Sequence, residues 1–547
     1  MHVINLDHVA VNFGGRVIFS DLSWAVGDRA RVGLVGRNGT GKSSLLKLIA
    51  RELAPDEGSV AWMREVSVAY LPQEVSLPPG QTLIDTALAL PEELARIENQ
   101  LARIQSQLAD PTIHGDAGRL ARALERQEQA LATYVRLGGP GHASNVREIL
   151  AFFGFTPADY DLPTEAFSGG QKKLAALVRL AAEARPVLLL DEPDNHLDMA
   201  AKRRLEEFIV KYKGAVIIVS HDRYLLDEVA DEIVEMEDGQ LKVYPGNYSA
   251  YVAERELRRL RQQQLHIAQQ KEISRIEASI ARFEMWAGMV VKERHIRQAR
   301  SRRRMLDRME ARGEIIEPVR EAREMRLQLE GWRGSTNVLE VQHLSMGFGS
   351  DLLLQQVNFL IRHGERVGMI GPNGSGKSVL FKLILGELVA LGGTIVIGPS
   401  IKVGYYAQEH ETLEPWLDRT PMELVRHVSP RSEGDAVAYL VKFLFTYQQV
   451  TGPIRNLSGG ERSRLQLSSL ILGRPNLLLL DEPTNNLDIP SAEVLEAALD
   501  DFEGTILSIS HDRYFLDRVV DRLLVLEGGL LRAFEGGYTD MLAQSDA

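Results

Sequence analysis

One set of short motifs occurs twice in this chain, in the same order, and the spacing between the copies constrains the fold more than any other feature. Gly36-Arg37-Asn38-Gly39-Thr40-Gly41-Lys42-Ser43 returns as Gly371-Pro372-Asn373-Gly374-Ser375-Gly376-Lys377-Ser378. Ser168-Gly169-Gly170-Gln171 returns as Ser458-Gly459-Gly460-Glu461, Asp191-Glu192-Pro193 as Asp481-Glu482-Pro483, and Ser220-His221-Asp222-Arg223 as Ser510-His511-Asp512-Arg513. From Gly36 to Gly371, and from Gln73 to Gln408, the copies lie 335 positions apart; from Ser168 to Ser458 and onward the offset is 290. The first copy therefore carries 45 extra residues between Gln73 and Ser168. A 547-residue chain also exceeds what one hydrophobic core usually supports, so each copy reads as a domain.

The extra segment has apolar residues at helical spacing, Leu94, Ile97, Leu101, Ile104 and Leu108, then a turn-rich stretch at Asp110–Gly115. Leu120, Leu124, Leu131 and Tyr134 continue the pattern, and the segment from about 88 to 138 reads as an antiparallel helical hairpin. It serves either as a packing element or as an arm that touches a partner. Between the copies, from 248 to 334, the composition shifts: Tyr248 to Ala287 has no Gly or Pro, which predicts a long helix, and a second helix is expected from about Arg297 to Arg312. Ile273, Ile276, Ile280 and Phe283 supply an apolar seam on the first of these helices. From Glu254 to Gly334 there are 20 Lys and Arg against 13 Asp and Glu, while the whole chain carries a net charge of −12. A basic cluster, Lys292, Arg294, Arg297, Arg300, Arg302, Arg303, Arg304 and Arg308, stands near the break between the two helices. Such a cluster can neutralise phosphates, and arginine can stack on or fork to RNA. The acidic remainder would be repelled by a nucleic acid, so contact is expected tip-first.

The repeated pattern G-x-x-x-x-G-K-[ST] is a phosphate cradle: its glycines let backbone N–H groups approach the phosphates at a helix N-terminus. Lys42 and Lys377 would reach the β- and γ-phosphates, and Ser43 and Ser378 would ligate Mg2+. Val187–Leu190 and Leu477–Leu480 are continuous apolar runs, as in a parallel sheet buried on both faces, and each ends in Asp-Glu. Ligands gather at the carboxyl ends of such strands. Asp191 and Asp481 suit the Mg2+ shell, and Glu192 and Glu482 suit the group that orients or deprotonates the attacking water. The expected class is α/β, with two P-loop domains in tandem, 1–247 and 335–547, joined by a long α-helical hairpin linker, 248–334.

With Phe167-Ser168-Gly169-Gly170-Gln171 and Leu457-Ser458-Gly459-Gly460-Glu461 added, the chain resembles the ATP-binding cassette superfamily along nearly its whole length. The resemblance implies an ATP hydrolase with ATP and Mg2+ as ligands, each nucleotide sandwiched between one cradle and the other copy's Ser-Gly-Gly signature. The implied nucleotide contacts are Gly36, Asn38, Gly39, Gly41, Lys42, Ser43 and Ser44 in one copy and Gly371, Asn373, Gly374, Gly376, Lys377 and Ser378 in the other. Ser168, Gly169, Gly170 and Gln171, with Ser458, Gly459, Gly460 and Glu461, would face them from the opposite copy. His221 and His511 match the superfamily's switch histidine, Gln73 and Gln408 its glutamine near Mg2+, and Phe13 and Phe348 its adenine-stacking aromatic. One departure is Asp194, where the superfamily has Thr, as the second copy does at Thr484. A carboxylate pointing at the phosphates would disfavour nucleotide binding, so equal turnover at the two sites is not implied.

Tandem cassettes with a basic helical linker resemble, more narrowly, the ABC-F subfamily of translation factors and ribosome-protection proteins. That likeness implies a ribosome-binding, cytoplasmic protein acting as a monomer, its linker directed at tRNA and ribosomal RNA in the tRNA exit site and its inserted arm touching the ribosome nearby. An energising subunit of a membrane transporter and a DNA-handling cassette ATPase are the alternatives. The chain has no apolar run of the roughly 18 residues that cross a bilayer and no visible secretory signal, and its lack of cysteine excludes disulfides and thiolate metal sites.

Overall fold

A computed structural model describes residues 1–64, 66–110, 117–289, 293–312, 315–316, 325, 327, 329, 331–349 and 351–545. In each cassette a six-stranded sheet forms around the cradle strand. In the first, the order is Val68–Leu71, Val187–Asp191, Ala215–Val219, Arg31–Val35, Glu232–Glu237 and Gln240–Pro245, the first five strands parallel. The second repeats it with Val403–Tyr406, Leu477–Asp481, Thr505–Ile509, Arg366–Ile370, Arg522–Glu527 and an antiparallel edge, Leu530–Glu535. Val187–Leu190, Ile217 and Val219 are completely buried or nearly so, which is why these strands read as unbroken apolar runs rather than alternating ones. A separate three-stranded antiparallel sheet, Arg16–Gly27, His2–Phe13 and Glu57–Trp62, shares the first cassette's core, and the second cassette has the matching sheet.

The inserted segment is two helices, Glu92–Leu108 and Ala117–Arg136. Leu101 and Ile104 are buried as expected, with Ile97 and Leu108 beside them. On the second helix the expected phase is off by one position: Leu124 and Leu131 are exposed, and Ala123 and Ala130 are buried in their place. Ala123, Ala130 and Tyr134 keep 3–4 spacing, and alanine lets two helices approach more closely than leucine would. The turn expected at 110–115 falls almost wholly outside the described residues.

The chain divides into two compact units, 1–243 with 325–547, and 244–324. The smaller unit contains helices Tyr248–Met289 and Glu293–Ala311, held together by Ile276, Ile280 and Ala299 with Phe283 and Leu306 beside them. Its far end is pinned by Ile316, whose N–H donates to Gln269 (2.7 Å) and whose carbonyl meets His266 Nδ1 (2.7 Å). The linker expected to run to 334 stops earlier, because Met325 and Leu329 are buried in the core of the second cassette. Among the described residues no helix is long and apolar enough to cross a membrane.

Candidate functional site

In each cassette, neighbouring parallel strands deliver the site residues from their carboxyl ends. Arg31–Val35 leads into the cradle loop and helix Lys42–Ile49, Val187–Asp191 into Glu192, and Ala215–Val219 into His221. The residue before each cradle helix is left-handed, Gly41 at φ 104° and Gly376 at φ 99°, a conformation that favours glycine. Lys42 Nζ donates to the carbonyls of Gly36 (2.7 Å) and Arg37 (3.1 Å), and Lys377 Nζ to those of Gly371 and Pro372 (both 2.8 Å). Ser44 follows Ser43 in the first turn of the cradle helix. The two cationic heads thus lie inside their own loops, facing Asp191 and Asp481 across the strand ends.

Those aspartates are buried, and the Asp191 Oδ1 and both Asp481 carboxylate oxygens accept no hydrogen bond among the described residues. Burial raises both carboxyls above the usual range, Asp481 to about 6, partly offset by the hydroxyls of Ser43 and Ser378 beside them and by the cradle lysines. A carboxylate with vacant lone pairs beside a serine hydroxyl fits Mg2+, which takes one or two protein oxygens and completes its shell with phosphate and water. Among the described residues no group of three or more histidine, cysteine, aspartate or glutamate side chains could hold a metal.

Glu192 and Glu482 have left-handed backbones at φ 49° and 50°, a strain of order 1–3 kcal/mol each that clusters at functional positions. Glu192 Oε2 accepts from Gln73 (2.8 Å) and Asn195 (2.6 Å), with His221 Nε2 3.7 Å from Oε1. Glu482 is held differently: its Oε2 accepts from the His511 backbone N–H (3.2 Å), and Oε1 lies 3.6 Å from His511 Nε2 with no hydrogen bond. Burial, followed by the neighbouring aspartates, raises both glutamates, Glu482 to about 8. Burial and the cradle lysines depress both histidines, His221 to about 3, so each imidazole is held neutral.

Ser168 and Ser458 begin the helices Gly169–Glu183 and Gly459–Leu472 through reciprocal caps. Ser168 Oγ accepts from Gln171 N–H (3.3 Å) while Gln171 Oε1 accepts from Ser168 N–H (3.0 Å); Ser458 and Glu461 repeat it at 3.4 and 2.8 Å. A cavity of about 450 Å3 brings Ser168, Gly169 and Gly170 together with Asn373, Gly374, Gly376, Lys377, Ser378, Gln408, Asp481, Glu482 and His511. The first cassette's signature thus shares a site with the second cassette's cradle.

Phe348 is 55 % exposed at the end of its strand, and Leu353 rather than Phe348 lines this cavity. The side chains of Phe13 and Arg294, and all of Lys292, lie outside the described residues. Arg297, Arg300, Arg302, Arg303, Arg304 and Arg308 are exposed on helix Glu293–Ala311. The surplus of unopposed arginine is smaller than the local spacing implies, since Arg303 pairs with Glu284 (3.4 Å) and Arg302 lies 5.0 Å over Phe283, both on the facing helix.

Sequence reading missed the residues that join the cassettes. The Asn38 N–H donates to Asp488 Oδ2 (3.0 Å) and its side chain to the Asn486 carbonyl (3.2 Å). Asn373 repeats both, to Asp198 Oδ2 (3.3 Å) and the His196 carbonyl (3.0 Å). His196 and Asn486 both have left-handed backbones, at φ 66° and 64°. Arg223 is bonded to Glu496 and Arg513 to Glu206, and Arg223 and Arg513 also lie over Tyr514 (3.8 Å) and Tyr224 (4.4 Å). Each pair is repeated between the copies, at an offset of 335 for the asparagines and 290 for the other residues, the one signal in the sequence; those offsets show which residues correspond, not which ones touch.

An ABC transporter family model matches residues 19–195 and 354–485, and a second model, also described as ABC transporter, matches 234–328. The chain is 36% identical to the ATP-binding protein YdiF of Bacillus subtilis over 98% of its length and 82% of that protein's. It is 33% identical to the ATP-binding protein Uup of Escherichia coli (100% and 84% covered) and 31% identical to ABC transporter F family member 2 of Arabidopsis thaliana (99% and 79%). Its fold matches the archaeal ribosome recycling factor aABCE1, solved with the ribosomal stalk protein aP1, at a TM-score of 0.62 and 20% identity over 98% of this chain and 92% of that one. The duplicated cradles, the strand-end Asp-Glu pairs and the full-length relatives place the chain in the ABC-F family of tandem ATP-binding cassette ATPases.

Proposed function

We propose that the chain holds two ATP molecules, each with Mg2+, between its cassettes, and that their closure and hydrolysis govern binding to and release from the ribosome. The reading rests above all on the reciprocal seam in which Asn38 meets Asp488 and Asn373 meets Asp198. Asn38 and Asn373 belong to the cradles, so whatever fills a cradle acts directly on the contact between cassettes. The nucleotide contacts are assigned to the cradle residues Gly36–Ser44 and Gly371–Ser378 and to the signatures starting at Ser168 and Ser458.

Mg2+ would be held by Ser43 and Asp191 in one site and by Ser378 and Asp481 in the other, with Gln73 and Gln408 nearby. When bound it would supply positive charge that offsets the charge of the phosphates. Glu192 and Glu482 orient the attacking water and accept its proton, and their raised affinity for protons suits a base working near neutrality. His221 and His511, neutral, offer a ring N–H to the γ-phosphate. The signature's capped helix start directs N–H groups at the same phosphate from the opposite cassette.

A ribosomal partner is supported by the basic helix Glu293–Ala311 and by the description of two proteins of the same fold as a ribosome recycling factor and as ribosome-bound. The arginine-rich helix would contact tRNA or ribosomal RNA, and the protein would act in the cytoplasm. Ribosome co-sedimentation of the E192Q/E482Q protein tests this. ATP should increase the bound fraction at least about ten-fold over ADP, since trapping a closed state by 1.4 kcal/mol is a ten-fold effect. Equal sedimentation in both nucleotides would remove the ribosome from the proposal.

A further inference from the structure

The two cassettes are not electrostatically equivalent where they meet. At three positions related by the 290-residue offset the first cassette has Lys173, Asp194 and Lys202 and the second has Ser463, Thr484 and Ala492. All three charged residues are buried, at 6%, 4% and 8% exposure. The first cassette thus has two extra cations and one extra anion at these positions, a net difference of +1. Asp194 accepts from Ser220 Oγ (2.8 Å), Lys173 Nζ donates to the Glu192 carbonyl (2.6 Å), and Lys202 Nζ donates to Asp222 (2.8 Å). The Asp194 carboxylate is thus held by Ser220 within a set of buried lysines, and it opposes bound phosphate less than its sequence position alone implies.

Lys202 makes one further bond. Its Nζ donates to the backbone carbonyl of His511, 3.0 Å away and in the other cassette. His511 in turn donates its N–H to Glu482 and places its ring beside the same carboxylate. Lys202 also lines the cavity that holds Lys377, Glu482 and the first cassette's signature. At the mirror position Ala492 has no donor to offer His221.

We propose that Lys202 is a positioning residue supplied by the first cassette to the second cassette's ATP site, where it fixes the His511 loop, and with it Glu482, only when the cassettes are closed. The site built on Lys42, Glu192 and His221 has no such tether, so one of the two hydrolytic events is conditional on closure in a way the other is not. A buried ammonium is costly unless fully bonded, and Asp222 and the His511 carbonyl satisfy it together only across the closed seam. Opening removes the His511 carbonyl and leaves that loop without its cationic anchor. Misplacement by about 1 Å of a group that positions the reacting atoms can cost on the order of 100-fold in rate.

The inference rests on the assignment of Glu482 and His511 to hydrolysis, and the test separates the two. Steady-state ATP turnover is measured for E192Q, which leaves the Glu482 site active, and for E482Q, which leaves the Glu192 site active. Each is then combined with K202M and with K202R, and E192Q also with K173S/D194T/K202A, which installs the residue types of the mirror copy. In the E192Q protein K202M and the triple variant should lower kcat about ten-fold with KM changed less than about two-fold, and K202R should recover at least about a third of the loss. In the E482Q protein K202M and K202R should change kcat less than about two-fold. Equal losses in both backgrounds, or no loss in E192Q, would overturn the tether. If E482Q by itself leaves turnover at the wild-type level, the fault lies with the assignment of Glu482.

Discussion

The carboxylate of Asp488 works in two directions at once: Oδ1 caps its own helix by accepting from the Ser491 N–H (3.1 Å), and Oδ2 accepts the Asn38 N–H of the opposite cassette (3.0 Å). Asp198 repeats the arrangement, to Ala201 (2.9 Å) and Asn373 (3.3 Å). A residue that caps a helix next to the glutamate of one cassette is therefore also a sensor of the other cassette's cradle.

D488A should separate these roles in a measurable way. Loss of the cap costs about 1 kcal/mol, seen as a fall of a few degrees in Tm. Loss of the bond to Asn38 weakens closure, and ATP turnover should fall at least about ten-fold, well beyond the stability effect. D488N, which keeps a capping oxygen, should retain most of the Tm. Turnover that tracks Tm in both variants would mean the bond to Asn38 contributes nothing.

The Arg223 and Glu496 side chains are almost fully buried, and Arg513 and Glu206 repeat the pair on the other side of the seam. Removal of one partner leaves the other's buried charge only partly met, Glu496 by Arg518 (3.2 Å) and Arg223 by Asp512 (3.9 Å), so R223M and E496A should each destabilise by about 3 kcal/mol in urea unfolding. R223M/E496M, which removes both charges, should recover more than about half of that loss. A double variant as unstable as the sum of the singles would show that the residues do not act as a pair.

Acid should weaken this seam in a defined window. Burial alone would raise the Asp222 carboxyl, but Lys202 and Arg513 beside it hold it below the ordinary aspartate value of 3.8. A depressed carboxyl contributes stability above its unfolded pKa and loses it as pH falls through the folded one. The stability difference between wild type and K202M should therefore be constant near neutrality and shrink below about pH 4. Urea midpoints from pH 3 to pH 7 measure it, and a difference that grows toward acid would contradict the assignment.

Charge reversal on the smaller unit should act on the ribosome and not on the cassettes. R300E/R304E/R308E alters exposed positions and leaves Arg302 over Phe283 and Arg303 with Glu284. Ribosome-stimulated turnover should fall to the unstimulated rate, and the salt slope of binding should drop by about 0.7–0.9 for each phosphate that is no longer neutralised. Unstimulated turnover should stay within about two-fold of wild type. A parallel loss of unstimulated turnover would indicate that these residues support folding.

Much of this protein was legible in its sequence because the relevant chemistry is local. A cradle needs glycines at fixed spacing and a lysine at the start of a helix, and a doubly covered parallel strand must be apolar throughout. The helical insertion and the basic hairpin could be placed from offsets and composition alone. The phase of the insertion's second helix could not, since alanine and leucine carry similar periodic signals and only packing reveals which face is buried at Ala123 and Ala130. Nor could sequence disclose that Asn38 meets Asp488, that Arg223 meets Glu496, or that Lys202 crosses to the His511 carbonyl. Those bonds join positions hundreds of residues apart, and a duplicated motif states only that two residues are equivalent. Which residues pair, and that Lys202 reaches the His511 carbonyl while Ala492 has no donor to offer in return, is decided by how the two cassettes pack.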